Sequence, residues 1–140
     1  MDYLRERLPV VLVEAHATAL VGSLAEGADQ ECAEIALGHG LSLQVIVPSE
    51  GYASTFDDST RERYVHFLSE AEAVTTLDFA EPSEEAFYAA GKRVVDDSDL
   101  LVAVWDGKPA AGTGGTGDVV DYAITQGKSV RIIWPDGVSR

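Results

Sequence analysis

The stretch Ala19-Leu-Val-Gly-Ser-Leu-Ala-Glu-Gly-Ala-Asp-Gln-Glu-Cys-Ala-Glu-Ile-Ala-Leu-Gly-His-Gly-Leu-Ser-Leu-Gln-Val-Ile-Val47 decides how this chain is read. It begins and ends in short apolar runs, residues 19–23 and 43–47, of the kind that form buried strands. Between them Ala28, Cys32, Ile35 and Ala36 recur at helical spacing, with Asp29, Glu31 and Glu34 on the other side. Glycines at 38 and 40 supply the stop. The whole is a strand-helix-strand unit.

Outward from that unit the alternation continues. Apolar runs at 100–105 and 130–134 read as two further strands, and 73–77 as a short extra one. A helix opening at Ser59, capped by its hydroxyl with Glu62 returning the bond, would bury Tyr64, Phe67, Leu68 and Ala71. Pro82-Ser83-Glu84-Glu85 starts another helix, with Phe87, Val94 and Val95 as its apolar stripe, ending before Asp99. A last helix over 117–126 buries Val119, Val120 and Ala123, and Gly127 takes the left-handed terminal position. This predicts one domain, residues 1–140, of α/β class with a doubly wound, mainly parallel sheet. Residues 2–17 leave two readings open. Leu4, Leu8, Leu12 and Ala15 have helical spacing, but Pro9 lies inside it, and Pro9-Val-Val-Leu-Val13 also reads as a strand.

Composition bounds the function. The 140 residues are 46% hydrophobic and carry a formal charge of -14, which repels phosphate backbones and anionic lipid. Neither nucleic acid nor a membrane surface is an expected partner. No apolar run approaches the roughly 20 residues of a spanning helix, and the mixed-charge start does not read as a signal peptide. A cytoplasmic protein is expected. Cys32, the single cysteine, excludes an internal disulfide and reads as a buried, inert thiol. His16, His39 and His66 lack metal-ligand spacing, so no metal is expected.

In an open parallel sheet, ligands bind beyond the carboxyl ends of the strands. The richest segment there is 107–118, Gly-Lys-Pro-Ala-Ala-Gly-Thr-Gly-Gly-Thr-Gly-Asp, directly before the last helix. Glycines admit positive φ and close approach to the main chain, and a helix start offers unpaired N–H groups, so the loop reads either as an anion cradle or as a plain connection. It is neither a P-loop nor a dinucleotide fingerprint, and no cofactor is expected. No Gly-x-Ser-x-Gly elbow occurs. A second glycine turn, Glu26-Gly27-Ala28-Asp29, also stands between strand and helix. Asp106 reads equally as a turn former or as a ribose ligand or base, and Trp105 as core or as a base-stacking face.

Taken together, Val21-Gly-Ser-Leu-Ala-Glu-Gly-Ala-Asp29, Asp99-Leu-Leu-Val-Ala-Val-Trp-Asp-Gly-Lys108, Gly114-Gly-Thr-Gly-Asp-Val-Val-Asp-Tyr-Ala123 and Gly127-Lys-Ser-Val-Arg-Ile-Ile-Trp134 resemble the SLOG superfamily of Rossmann-like nucleotide-binding proteins. That superfamily includes the LOG phosphoribohydrolases and the DNA-processing protein A fold. The resemblance covers about residues 18–134 and implies that two glycine-bearing turns bind a nucleotide or nucleotide-derived ligand. Ser23, Gly27, Gly114, Gly115, Thr116 and Gly117 would line the phosphate site, with Glu26, Trp105 and Asp106 near ribose or base.

Two departures from the resembled pattern matter. The LOG hydrolases carry Gly-Gly-x-Gly-Thr-x-x-Glu, and the offset from Thr116 reaches Val119 here; Asp118 and Asp121 flank it on a helix where neighbours point about 100° apart, and Asp118 and Asp106 are the candidate carboxylates. Such domains also open with a strand and a glycine turn, whereas this chain reads as opening in the helix that follows. The expected function is therefore nucleotide binding, as a sensor or scaffold. N-glycosidic hydrolysis of nucleoside 5′-monophosphates and an interaction module without ligand are the alternatives. A sheet short of a strand leaves an open edge, so a homodimer or larger homo-oligomer is expected.

Overall fold

The computed structural model describes residues 2–105 and 115–134. The elements follow as α1 (Asp2–Glu14), β1 (Ala19–Gly22), α2 (Ala28–Gly38), β2 (Ser42–Val47), a 3₁₀ turn (Tyr52–Thr55), α3 (Asp58–Glu70), β3 (Ala73–Thr76), α4 (Glu84–Asp96), β4 (Leu100–Val104), α5 (Thr116–Thr125) and β5 (Ser129–Ile133). No helix among the described residues is long and apolar enough to cross a membrane.

The strands form two parallel sheets, where the alternation had suggested one. β2 lies between β1 and β3, with Ala19 opposite Ser42 and Gln44 opposite Ala73. β4 pairs with β5, Leu100 opposite Ser129. No ladder joins β1 to β4. Helix α1 fixes their relative direction: the Tyr3 ring at its start lies 6.0 Å from that of Trp134 beyond the end of β5, Arg7 in its middle donates to the Trp134 carbonyl, and Glu14 at its end pairs with Arg131. It thus runs back along β5 and delivers the chain to β1 at the end where β4 and β5 also begin. The result is a mixed α/β, Rossmann-like arrangement.

Two apolar clusters hold the layers. Leu43, Val45 and Val47, alternate residues of β2, pack with Ala33, Tyr64, Phe67, Tyr52 and Phe56. Leu4, Leu8, Val11 and Leu12 pack with Ile133, and Leu100, Val102 and Val104 lie against them. Helix α2 belongs to both, giving Ala33 and Leu37 to one cluster and Ala28, Cys32 and Ile35 to the other. Glu31 pairs with Arg5 of α1 and Arg63 of α3, so α1, α2 and α3 lie side by side. Helices α4 and α5 pack against each other elsewhere, where Tyr122 donates to Asp96.

The first segment is helical. Leu8, Val11 and Leu12 are buried together, and a strand over 9–13 would send neighbours to opposite faces and break that cluster. The α3 start needs correcting: the cap is Asp57, whose carboxylate accepts from the Thr60 amide at 2.8 Å, while Ser59 donates to Asp57. A carboxylate two residues earlier is the better acceptor for the first free amides. Ser83 caps α4 as expected, accepting from Ala86 N–H. The α4 stripe also differs, because Ala86, Ala90 and Val95 are buried and Phe87 stays 38% exposed.

Small residues face inward on α4 because α5 comes close. A Cβ built on Gly91 would stand 2.6 Å from Val119 Cγ2. We therefore expect Gly91→Ala to destabilise the fold: overpacking costs about 1–3 kcal/mol, against about 1 kcal/mol gained in helix propensity. Val119→Ala in the same chain should restore most of the loss. Urea denaturation of the single and double variants checks this, and a Gly91→Ala chain as stable as its parent would refute the close contact.

Candidate functional site

A cavity of about 810 Å³ lies between the two sheets. All of β1 and all of β4 line it. Successive strand residues point to opposite faces, so a space that touches every one of them meets the strands along their edges. Val11 and Leu12 of α1 with Ala28 and Cys32 of α2 form one wall, and Ala90, Val94 and Val119 of α4 and α5 form the other. At the carboxyl end of β1 the lining continues into Ser23, Ala25 and Asp29, and beyond β4 into Thr116.

The turn after β1 is built to hold its shape. Leu24 has φ 58°, a left-handed conformation that a bulky residue adopts only under constraint. The constraint is burial of its side chain beside Ala33, Leu43 and Val45, which leaves it 1% exposed. The Gln30 amide, itself buried, donates to the carbonyls of Leu24 and Thr60, each at 3.2 Å, tying the turn to α2 and α3. Gly27 caps α2 at φ 89° and ψ -120°, a region that favours glycine. The Asp29 carboxylate accepts from the Ala25 amide at 3.3 Å and closes the loop.

The polar groups of this end have displaced proton affinities. The Asp29 carboxyl opens into the cavity yet is surrounded by its walls. That partial loss of water pushes its pKa up, against the pull of the Ala25 and Ser23 amides. Tyr52 is raised by burial first, then by Asp29 and Tyr64. Burial, reinforced by Asp29 and Glu31, pushes the Cys32 thiol up to about 12, so the sulfur stays protonated at neutral pH. Tyr52 also joins an aromatic group with Phe56, Tyr64 and Phe87, at ring separations of 5.0, 5.6 and 6.0 Å.

Of the site residues expected from the sequence, Ser23 and Thr116 come together on the one cavity. Gly115 is the N-cap of α5 in extended backbone, with no side chain capping the helix, and Gly117 is buried in its first turn. Gly27 serves the backbone of the turn, and Glu26 is exposed beside it. Trp105 and Asp118 are half-buried, and Val119 rather than Asp118 lines the cavity. Asp106 and Gly114, with most of the glycine-rich segment, lie outside the described residues. Asp29, expected only on the outward side of its helix and in the second glycine turn, lines the cavity, as does Tyr52, which the sequence did not single out. The signal for Tyr52 was its place directly after the loop 48–51 that leaves β2. Among the described residues no cluster of His, Cys, Asp or Glu is able to hold a metal. No protein-family model and no curated protein matches the chain.

Two measurements test this geometry. Gln30→Leu keeps the volume but strips the donor from two carbonyls, and should cost about 1–3 kcal/mol by chemical denaturation; an unchanged midpoint would mean that Gln30 does not hold the turn. At pH 8 the folded chain should react with iodoacetamide more than about a hundredfold slower than the unfolded chain, whose thiol titrates near the ordinary 8.5. Equal rates would contradict a raised Cys32.

Proposed function

We propose that the carboxyl-end half of the cavity binds a nucleotide or nucleotide-derived ligand, and that the chain is a Rossmann-like domain of SLOG type. One observation carries the reading: the held turn at Ser23 and the start of α5 at Thr116 line the same cavity. The amides of Thr116 and Gly117 stand in the first turn of α5, where helix geometry leaves N–H groups free for an anion. Asp29 offers an acceptor for sugar hydroxyls, and Tyr52 and Phe87 offer an aromatic wall for a base. Local donors make such a site compatible with a net charge of -14, which governs only long-range attraction.

Binding is favoured over N-glycosidic hydrolysis for a local reason. A hydrolase of this kind needs a carboxylate near the anomeric carbon, and Val119 presents methyl groups to the cavity at the position where the resembled enzymes carry theirs.

Thermal unfolding against a panel of nucleoside mono- and diphosphates tests the proposal. A ligand at a hundred times its Kd stabilises the folded state by about 2.7 kcal/mol, a melting shift of several degrees. Gly115→Val, which the extended backbone at that position accommodates, should abolish the shift while leaving the ligand-free melting temperature near that of the parent. Failure of every nucleotide to raise the melting temperature would refute the proposal, as would rapid release of free base from a monophosphate, followed by chromatography.

A further inference from the structure

We infer that the gap between β1 and β4 is a strand-acceptor slot, which takes one extended apolar segment with basic flanks from another polypeptide, parallel to both strands. The inference concerns the strand edges and does not depend on the nucleotide reading.

The main chain supplies the first argument. Among the described residues β1 is hydrogen-bonded to β2 alone and β4 to β5 alone, and both strands meet the cavity along their other edges. Each free edge is a row of N–H and C=O groups that an added strand satisfies. Because α1 brings β1 in at the end where β4 begins, the two edges run in the same direction, and one parallel strand bonds to both at once. A segment of about five residues, at about 3.3 Å each, matches the lengths of β1 and β4.

The walls then specify the segment. Val11, Leu12 and Cys32 on one side and Ala90, Val94 and Val119 on the other demand apolar side chains at successive positions, as in any strand covered on both faces. The ends specify charge. Asp99 lines the slot before β4, beside Asp97, whose carboxylate already pairs with Arg93 at 2.9 Å; Asp29 lines it beyond β1, and among the described residues no Lys or Arg lines it. Basic residues on both flanks of the segment complement them. A second copy of this chain is a poor donor, since each of its described strands is already paired and its remaining open edges, on β3 and β5, lie at the rims of sheets rather than on a free segment.

The test uses the full chain and a synthetic peptide of five Val and Ile residues with two lysines at each end, read by amide hydrogen exchange. We expect the peptide to slow exchange roughly tenfold or more in residues 19–22 and 100–104 together, and to raise the melting temperature. The same peptide with proline at alternate positions, which cannot complete the ladder, should do neither, and glutamate flanks should weaken the effect. Gly22→Phe places a ring where an added Cβ meets nothing within 4 Å, at a residue that lines the slot, and should weaken the response at least several-fold. Should that variant not fold, the exchange pattern of the parent decides alone. Protection of only one strand, protection confined to β3 or β5, or equal action of the proline peptide would overturn the inference. So would protection of both edges in the chain alone that grows with its concentration, which would make a second copy the occupant. Because the readout is strand protection, absence of a nucleotide response leaves it unaffected.

Discussion

A strand has two edges, and every backbone N–H and C=O along them needs a partner. In this protein β1 and β4 each satisfy one edge and turn the other toward a shared space. Most of the architecture answers to that division. Helices cover the slot on both faces, α1 runs back along β5 to bring β1 in beside it, and α2 contributes to the core on each side of the break. The layers are thereby held together by side-chain packing where main-chain hydrogen bonds are missing.

The same division locates the candidate chemistry. A parallel sheet concentrates polar groups and helix starts beyond its carboxyl ends, and the break adds depth between them. The turn after β1 is strained at Leu24 and kept there by a buried leucine side chain and a buried amide, so its main chain is presented in one shape. Across the space, the contact between Val119 and Gly91 determines how near α5 approaches α4. One apolar residue, Val119, thus sets the helix spacing and also lines the cavity, and the proposal of binding rather than hydrolysis rests on it.

Much of the local structure was legible in the residues. Apolar runs gave the strands to within a residue or two, Ser83 announced the start of α4, and Gly127 the left-handed turn after α5 at φ 74°. Errors fell where two local signals competed. Asp57 outcompeted Ser59 for the α3 cap, and Pro9 stayed helical because burial of Leu8, Val11 and Leu12 outweighs one lost hydrogen bond. Phe87 was read as core because helical spacing says which residues share a face but not how closely the next helix comes. Ser23 and Thr116, named from the ordered motifs, line one cavity, whereas Asp29 and Tyr52 gained their setting only from neighbours distant in sequence.

By itself, then, the order of residues determined what depends on near neighbours: alternating strands and helices, the glycine positions with left-handed backbone, and the absence of a long apolar helix. The tertiary structure alone decided which strand edges stay open and which turns share a cavity. Edge pairing is a contest among all strands for a limited set of partners, and its outcome depends on where α1 and α4 carry the chain. No local pattern of apolar and polar residues records that, because main-chain edges are chemically alike in every strand.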